Sequence, residues 1–248
     1  SMFGGIAKWV GEIKHPDEAP ELAARAWTMA TSGVPGPVIL SAPEDVLAAP
    51  CRTSVPPLHR NAVAGATADE AARIAALINA AKQPILLAGR EFDVPGGRET
   101  LLHFAEAWEL PVAVSFRRQD IFPNDHPLYV GDLGLKNPDA QRQAFDEADL
   151  LLAIGTRLTD ITPQGYSWPT AQQTLVHSCA DPRFLGWQFP AAVATTATAV
   201  SLIEAVNANE RKAAPGLAAW VGRLRDLHVA DSRSNPQEYA DGLDFVRI

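Results

Sequence analysis

Two apolar runs break off at a glycine with an arginine close behind. QPILLAGRE ends on Gly89-Arg90, and LLLAIGTRL ends on Gly155-Thr156-Arg157. Glycine lets the main chain come close to a diphosphate, and a neighbouring guanidinium can give paired hydrogen bonds to phosphate oxygens. At the carboxyl end of a strand these residue types are candidates for holding a nucleotide. The plainer alternative is that each glycine turns the chain out of its strand and each arginine is solvated. Neither stretch is a G-x-G-x-x-G or a Walker A loop, so the strong dinucleotide and P-loop signatures are missing. YVGDLGLKNPD adds Gly131, Asp132 and Gly134, read as a loop before a helix where backbone can again touch a ligand. Asp132 has no second carboxylate or amide at metal-binding spacing and reads as a turn residue.

Other reactive residue types form no catalytic or metal-binding set. The histidines stand at 15, 59, 103, 126, 177 and 228, without an H-E-x-x-H motif or a pairing on one face. His126 in NDHP reads as a turn residue, and His177, inside an apolar run, as a buried and satisfied one. No serine sits in G-x-S-x-G. Arg117 and Arg118 in FRRQD follow another strand, where an interdomain ion pair and a ligand contact are equally open.

The elements that must carry these residues alternate. DEAPELAARAWTMATSG has helical spacing and a closing Gly33, and PGPVILSAPEDV holds a short strand. CRTSVPPLHRNAVAGA, 51–66, has adjacent prolines and no period, and is expected to be a linker. Thr67 and Glu70 have capping-box spacing at the head of a helix whose buried stripe is Ile74, Leu77, Ile78 and Ala81. Strand QPILLAGRE, helix GGRETLLHFAEAWEL, strand PVAVSF, helix NPDAQRQAFDEAD, strand LLLAIG, a loop or short helix, and strand QTLVHSCA follow. Strands apolar along their whole length and separated by helices predict an α/β, doubly wound parallel sheet. GLAAWVGRLRDLHVA then puts Leu217, Trp220, Val221, Leu224 and Leu227 on one helix face.

The composition sets the outer limits. A chain of 248 residues, 47% hydrophobic and 20% charged, can bury a sizeable core. A net charge of -8 and a pI near 5.2 argue against nucleic acid and against an anionic membrane surface. No apolar stretch has the length of a membrane span. Cys51 and Cys179 form neither a zinc spacing nor a disulfide framework, which points to a cytoplasmic setting and to small buried or loop cysteines. Ser1-Met2 looks like an expression remnant.

Several motifs, in order, resemble a known family. AKWVGEI, a helix, then ATSGVPGPVILSAPEDVL is similar to the end of the pyrimidine-binding domain of thiamine-diphosphate enzymes of the acetolactate synthase type. QPILLAGRE, ELPVAVSF, IFPNDHPLYVGDLG, EADLLLAIGTRLTD and LVHSCADPRFLG resemble that family's central domain, in its order. SFRRQDIF with LYVGDLGL suggests an acetolactate synthase-like branch. The resemblance spans about residues 3–207 and implies a six-stranded, Rossmann-like sheet.

It also implies a three-domain parent enzyme acting on a 2-keto acid, by carbon-carbon cleavage or carboligation. Residues 1–50 would be a remnant of the preceding domain, 67–207 the central domain, and 208–248 a connector toward a diphosphate-binding domain. The connector's apolar stripe would then pack on a neighbour or lie exposed. In the family, thiamine diphosphate is activated by a glutamate of the first domain and held through Mg2+ by a G-D-G…N motif of the third. Neither VGDLG nor YADGLD is that motif, so this chain is expected to be inactive by itself, with catalytic and metal-binding residues elsewhere. The parent would be a homo-oligomer.

Central domains of the family bind FAD, ADP, coenzyme A or nothing. For FAD, Gly155 and Arg157 match the family's G-x-R, Gly131 and Gly134 its glycine loop, and Asp181 the second aspartate of its ribose-binding strand. Ile161 stands in place of a second arginine and Cys179 in place of the first aspartate. Each departure removes on the order of 1 kcal/mol of binding. The rival readings are a free-standing nucleotide-binding module and, more weakly, an NAD-dependent enzyme.

Overall fold

The computed structural model describes residues 4–57, 61–135, 137–212 and 214–233. They fall into two compact units, Ser1–Val63 and Ala64–Ile248. In the first, strands β1 (Trp9–Glu12) and β2 (Val38–Ser41) pair in parallel, Trp9 opposite Val38 and Glu12 opposite Ser41. Helix α1 (Ala19–Thr31) connects them and α2 (Glu44–Ala48) follows. Past α1 the chain turns at Gly33, whose φ of 54° is left-handed, as its position after the periodic stretch predicts. Only Ile13 and Ala26 are fully buried apolar side chains among this unit's described residues. Residues 51–57 and 61–66 carry no regular structure. Position 59, one of the six histidines, lies outside the described residues.

The second unit is built on six parallel strands: β3 (Pro84–Ala88), β4 (Val112–Ser115), β5 (Tyr129–Leu133), β6 (Leu150–Ile154), β7 (Thr174–Ser178) and β8 (Val193–Thr195). Their order across the sheet is β5-β4-β3-β6-β7-β8. The chain thus starts in the middle, runs out to one edge, and returns to β3 to build the other half. That reversal makes a switch point between β3 and β6, the place where open parallel sheets bind ligands at their carboxyl ends. Helices cover both faces: α3 (Ala68–Ala80), α4 (Gly97–Trp108) and α6 (Ala199–Asn207) on one, α5 (Asp139–Asp146) and α7 (Leu217–Ser232) on the other. Leu86 and Ala88 of β3 point into the first layer, Ile85 and Leu87 into the second. Burial on both sides is why these strands read as unbroken apolar runs. The doubly wound expectation is therefore met.

Thr67 and Glu70 form the predicted capping box: the Glu70 N–H donates to Thr67 Oγ1 at 3.2 Å, and Glu70 Oε2 accepts the Thr67 N–H at 2.8 Å. Of the predicted stripe, Ile74, Ile78 and Ala81 are fully buried and Leu77 partly so.

Two local expectations need correction, one strand is new and one open alternative is decided. YVGDLG is not a loop: Gly131 and Asp132 lie within β5. This edge strand bonds only to β4, and its register slips between Val112 and Val114, so it tolerates the glycine and aspartate that made it look irregular. The three-residue β8 is too short to show a period. Residues 156–173 are loop and turn, the first of the two alternatives expected after β6. Finally, the stripe of α7 neither waits for a neighbour nor lies exposed. Leu217, Trp220 and Leu224 are buried against the sheet of their own unit, and Trp220 Nε1 donates to the Pro84 carbonyl at 2.9 Å.

Candidate functional site

Register brings the strand ends level. Ala88 lies opposite Ile154, Ile154 opposite Ser178, and Ser178 opposite Thr195. Gly89, Gly155 and Cys179 consequently leave the sheet side by side. The ladder runs one residue further through them, with the Gly89 N–H on the Ile154 carbonyl and the Gly155 N–H on the Ser178 carbonyl, each at 2.9 Å.

Both glycines are needed for this contact. A Cβ on Gly89 would collide with the Gly155 carbonyl and lie 2.7 Å from Thr156 Cβ. Gly155 has φ of 71°, and a Cβ there would come within 2.9 Å of Glu91 Cβ and 3.2 Å of Ala199 Cβ. The space beside each glycine is thus taken by the chain itself. Thr156 is buried, and its carbonyl lies 2.8 Å from Nε2 of the buried His177. Burial pulls the His177 pKa down despite that contact, so the ring is neutral and donates, as its place in an apolar run predicts.

Glu91 was not singled out in the sequence, yet it has the least ordinary environment here. Its Oε1 accepts the Ala180 N–H at 2.8 Å, while Oε2 is buried without a hydrogen-bond partner. Burial is the largest influence and raises its pKa; the N–H groups of Ala180 and Ala199, the Arg157 charge and the Cys179 thiol oppose it. Burial likewise pushes the Cys179 thiol up to about 11, that of an inert buried cysteine. The visible signal for Glu91 is an acid placed directly after Gly-Arg, where a phosphate loop would avoid negative charge.

Arg90 and Arg157 are exposed. Arg157 stacks over the Phe184 ring at 5.1 Å, and Phe184, Trp187 and Tyr166 continue in edge contacts of 6.2 and 6.1 Å. Asp181 is buried but engaged: its two oxygens accept from Arg183 Nε at 2.9 Å and Nη2 at 2.6 Å, and this pair holds its carboxyl below the usual range. Gly131 and Gly134 lie on or just after β5, two strands away from β3, and do not join the Gly89–Gly155 pair. The position a Cβ would take on Gly131 faces Gln141 Nε2 at 2.7 Å and His228 Nδ1 at 3.1 Å. One bond spans that gap, from Gln164 Nε2 to the Gly134 carbonyl at 2.9 Å.

Asp132 accepts from Gln119 Nε2 at 3.0 Å, and burial raises its pKa. Arg118 is 3.7 Å from Asp93, which also pairs with Arg98 at 3.0 Å, so that arginine belongs to a network within its own unit. Arg117 lies over the adjacent Phe116 ring. Among the described residues no three His, Cys, Asp or Glu side chains gather as a metal site, and no helix is long and apolar enough to cross a membrane. Taken together, the main chain at Gly89 and Gly155 is crowded by Thr156, Glu91 and Ala199, and the Asp181 carboxylate is already engaged by Arg183.

Comparison with known proteins agrees with this architecture. Residues 71–206 match the family model described as thiamine pyrophosphate enzyme, central domain. The chain is 31% identical over 194 residues to a probable acetolactate synthase large subunit of Methanocaldococcus jannaschii, covering 75% of this chain and 32% of that protein. It is 31% identical over 191 residues to a sulfoacetaldehyde acetyltransferase of Castellaniella defragrans, covering 75% and 31%. With acetolactate synthase isozyme 1 large subunit of Escherichia coli it shares 35% over 151 residues, covering 60% and 26%. The chain thus spans about a quarter to a third of the length of these relatives. With more than half of its length matched by the central-domain model, the chain belongs to the thiamine pyrophosphate enzyme family, as that family's central domain.

Proposed function

We infer that this chain is the middle of an acetolactate synthase-like enzyme that uses thiamine diphosphate and Mg2+ to cleave or join carbon-carbon bonds of a 2-keto acid. The cofactor, the metal and the substrate are assigned to domains on either side, and the parent is a cytoplasmic homo-oligomer. The role of the chain itself is architectural: a sheet covered on both faces gives a rigid block against which cofactor-binding domains can be set. The observation that carries this reading is the central-domain match over residues 71–206, with relatives that place the matched region within a polypeptide about three times as long. The filled strand ends support the architectural role over a nucleotide-binding one.

Two measurements test it. The purified chain should neither bind thiamine diphosphate with Mg2+ in a calorimeter nor release CO2 from pyruvate, and turnover by the chain alone would refute the assignment. Joined to the pyrimidine- and diphosphate-binding domains of its own polypeptide, it should support release of CO2 from a 2-keto acid that depends on thiamine diphosphate. Failure of the joined protein to bind the cofactor would equally count against it.

A further inference from the structure

We propose that Glu91 is a built-in anion standing in the switch-point crevice where a dinucleotide would put its diphosphate, so that this central domain is closed to FAD and ADP. Three observations place it there. First, its backbone N–H donates to the Gly155 carbonyl at 3.3 Å, and its Cβ lies against the site where Gly155 lacks one, which locks the residue between the ends of β3 and β6. Second, its carboxylate takes the Ala180 N–H at 2.8 Å, directly after β7. Third, Ala199, the first residue of α6, borders the same place, its Cβ 3.2 Å from where a Cβ on Gly155 would lie.

Backbone N–H groups at a helix N-terminus and at a strand end are the donors a phosphate would use. Here one internal carboxylate takes the strand-end donor of Ala180 and stands beside the first residue of α6, near the positive charge of Arg157. The carboxylate occupies the donor at the strand end without a ligand, and its Oε2 is buried with no hydrogen-bond partner. A diphosphate entering this crevice would meet a negative charge that cannot swing to solvent without giving up its contact with Ala180. The function of Glu91 is therefore to tie the ends of three strands together and to keep nucleotides out. This goes beyond the assignment to thiamine-diphosphate chemistry, and its test needs no turnover.

The test is thermal unfolding of the full chain in the presence of ADP, FAD or inorganic pyrophosphate at millimolar concentration, with and without Glu91→Gly. The wild type should show no rise in midpoint with any of them. The Glu91→Gly protein should gain a rise of about 2–4 °C with pyrophosphate and ADP, the size of shift expected when a ligand binds only the folded state of a chain this long. Adding Arg157→Ala to that variant should cancel the gain. If Glu91→Gly does not fold, Glu91→Gln, whose amide oxygen can still accept the Ala180 N–H while the charge is gone, carries the same comparison. A rise with the wild type would overturn the proposal, because the crevice is then open. No rise with either folded variant would also overturn it, because something other than Glu91 then excludes the anion.

Discussion

At the scale of single residues, the strand ends are governed by what has no room to be larger. Gly155 combines a left-handed φ with close neighbours, whereas Gly96, at φ 76°, has nothing within 4 Å of where a Cβ would lie. Gly96→Ala should therefore cost only the backbone strain, about 1 kcal/mol. Gly155→Ala adds a forced contact with Glu91 and Ala199 and should cost about 2–4 kcal/mol. Urea unfolding of the two variants separates conformation from crowding, and equal losses would contradict the packing described here. His177 gives a second prediction, with a defined sign. Burial lowers its folded-state pKa, so the unfolded chain binds the extra proton. Its contribution is intact above the ordinary histidine range and is lost as pH falls through that range. Unfolding free energies at pH 7 and pH 5 should fall further for the wild type than for His177→Gln. An identical fall in both would mean that the ring is not held neutral.

At the scale of elements, what could be read from the chain was set by how completely each element is buried. The runs of β3, β6 and β7 and the helices between them were legible because full burial forces unbroken apolar sequence and one-sided helices. Strand β5 was not, because an edge position accepts Gly131 and Asp132, and β8 was not, because Val193–Thr195 is shorter than any recognisable period. Of the candidate site, the glycines and arginines could be located at carboxyl ends. That Gly89 and Gly155 face each other could not be known, since it depends on the register between β3 and β6. Glu91 was passed over because its hydrogen-bond partner, Ala180, and its neighbour Ala199 come from far along the chain. Helix α7 shows a stripe legible in sequence whose destination was not. Trp220 is 4% exposed and bonds to Pro84, so α7 is a wall of the core and not a tether. Trp220→Ala should destabilise the second unit by about 3–5 kcal/mol. Chemical unfolding followed by far-UV circular dichroism would measure this, and a loss below about 1 kcal/mol would return α7 to the role of a loosely attached connector.

At the scale of the whole molecule, the two units differ in what they can sustain. The second owns two apolar layers, and its first residues are anchored from within: the Ala64 carbonyl accepts the Thr198 N–H and the Ser201 hydroxyl, each at 3.0 Å. The first has a two-stranded sheet and, among its described residues, only Ile13 and Ala26 fully buried. Small units with so little buried apolar surface are marginal on their own, because ordering the chain costs about as much as burial returns. Cooperative stability should therefore reside in residues 64–248. A shortened protein starting at Ala64 should keep the urea midpoint of the intact chain's main transition. Its denaturant dependence should be unchanged as well, because that slope follows the surface exposed in the transition itself. Limited proteolysis should cut the intact chain within 51–66, whose described residues 51–57 and 61–66 carry no regular structure, and leave the second unit whole. A clear drop in the midpoint on shortening would show instead that the first unit contributes to the core of the second. Cuts inside 84–224 ahead of 51–66 would contradict the closed two-layer sheet on which the architectural role depends.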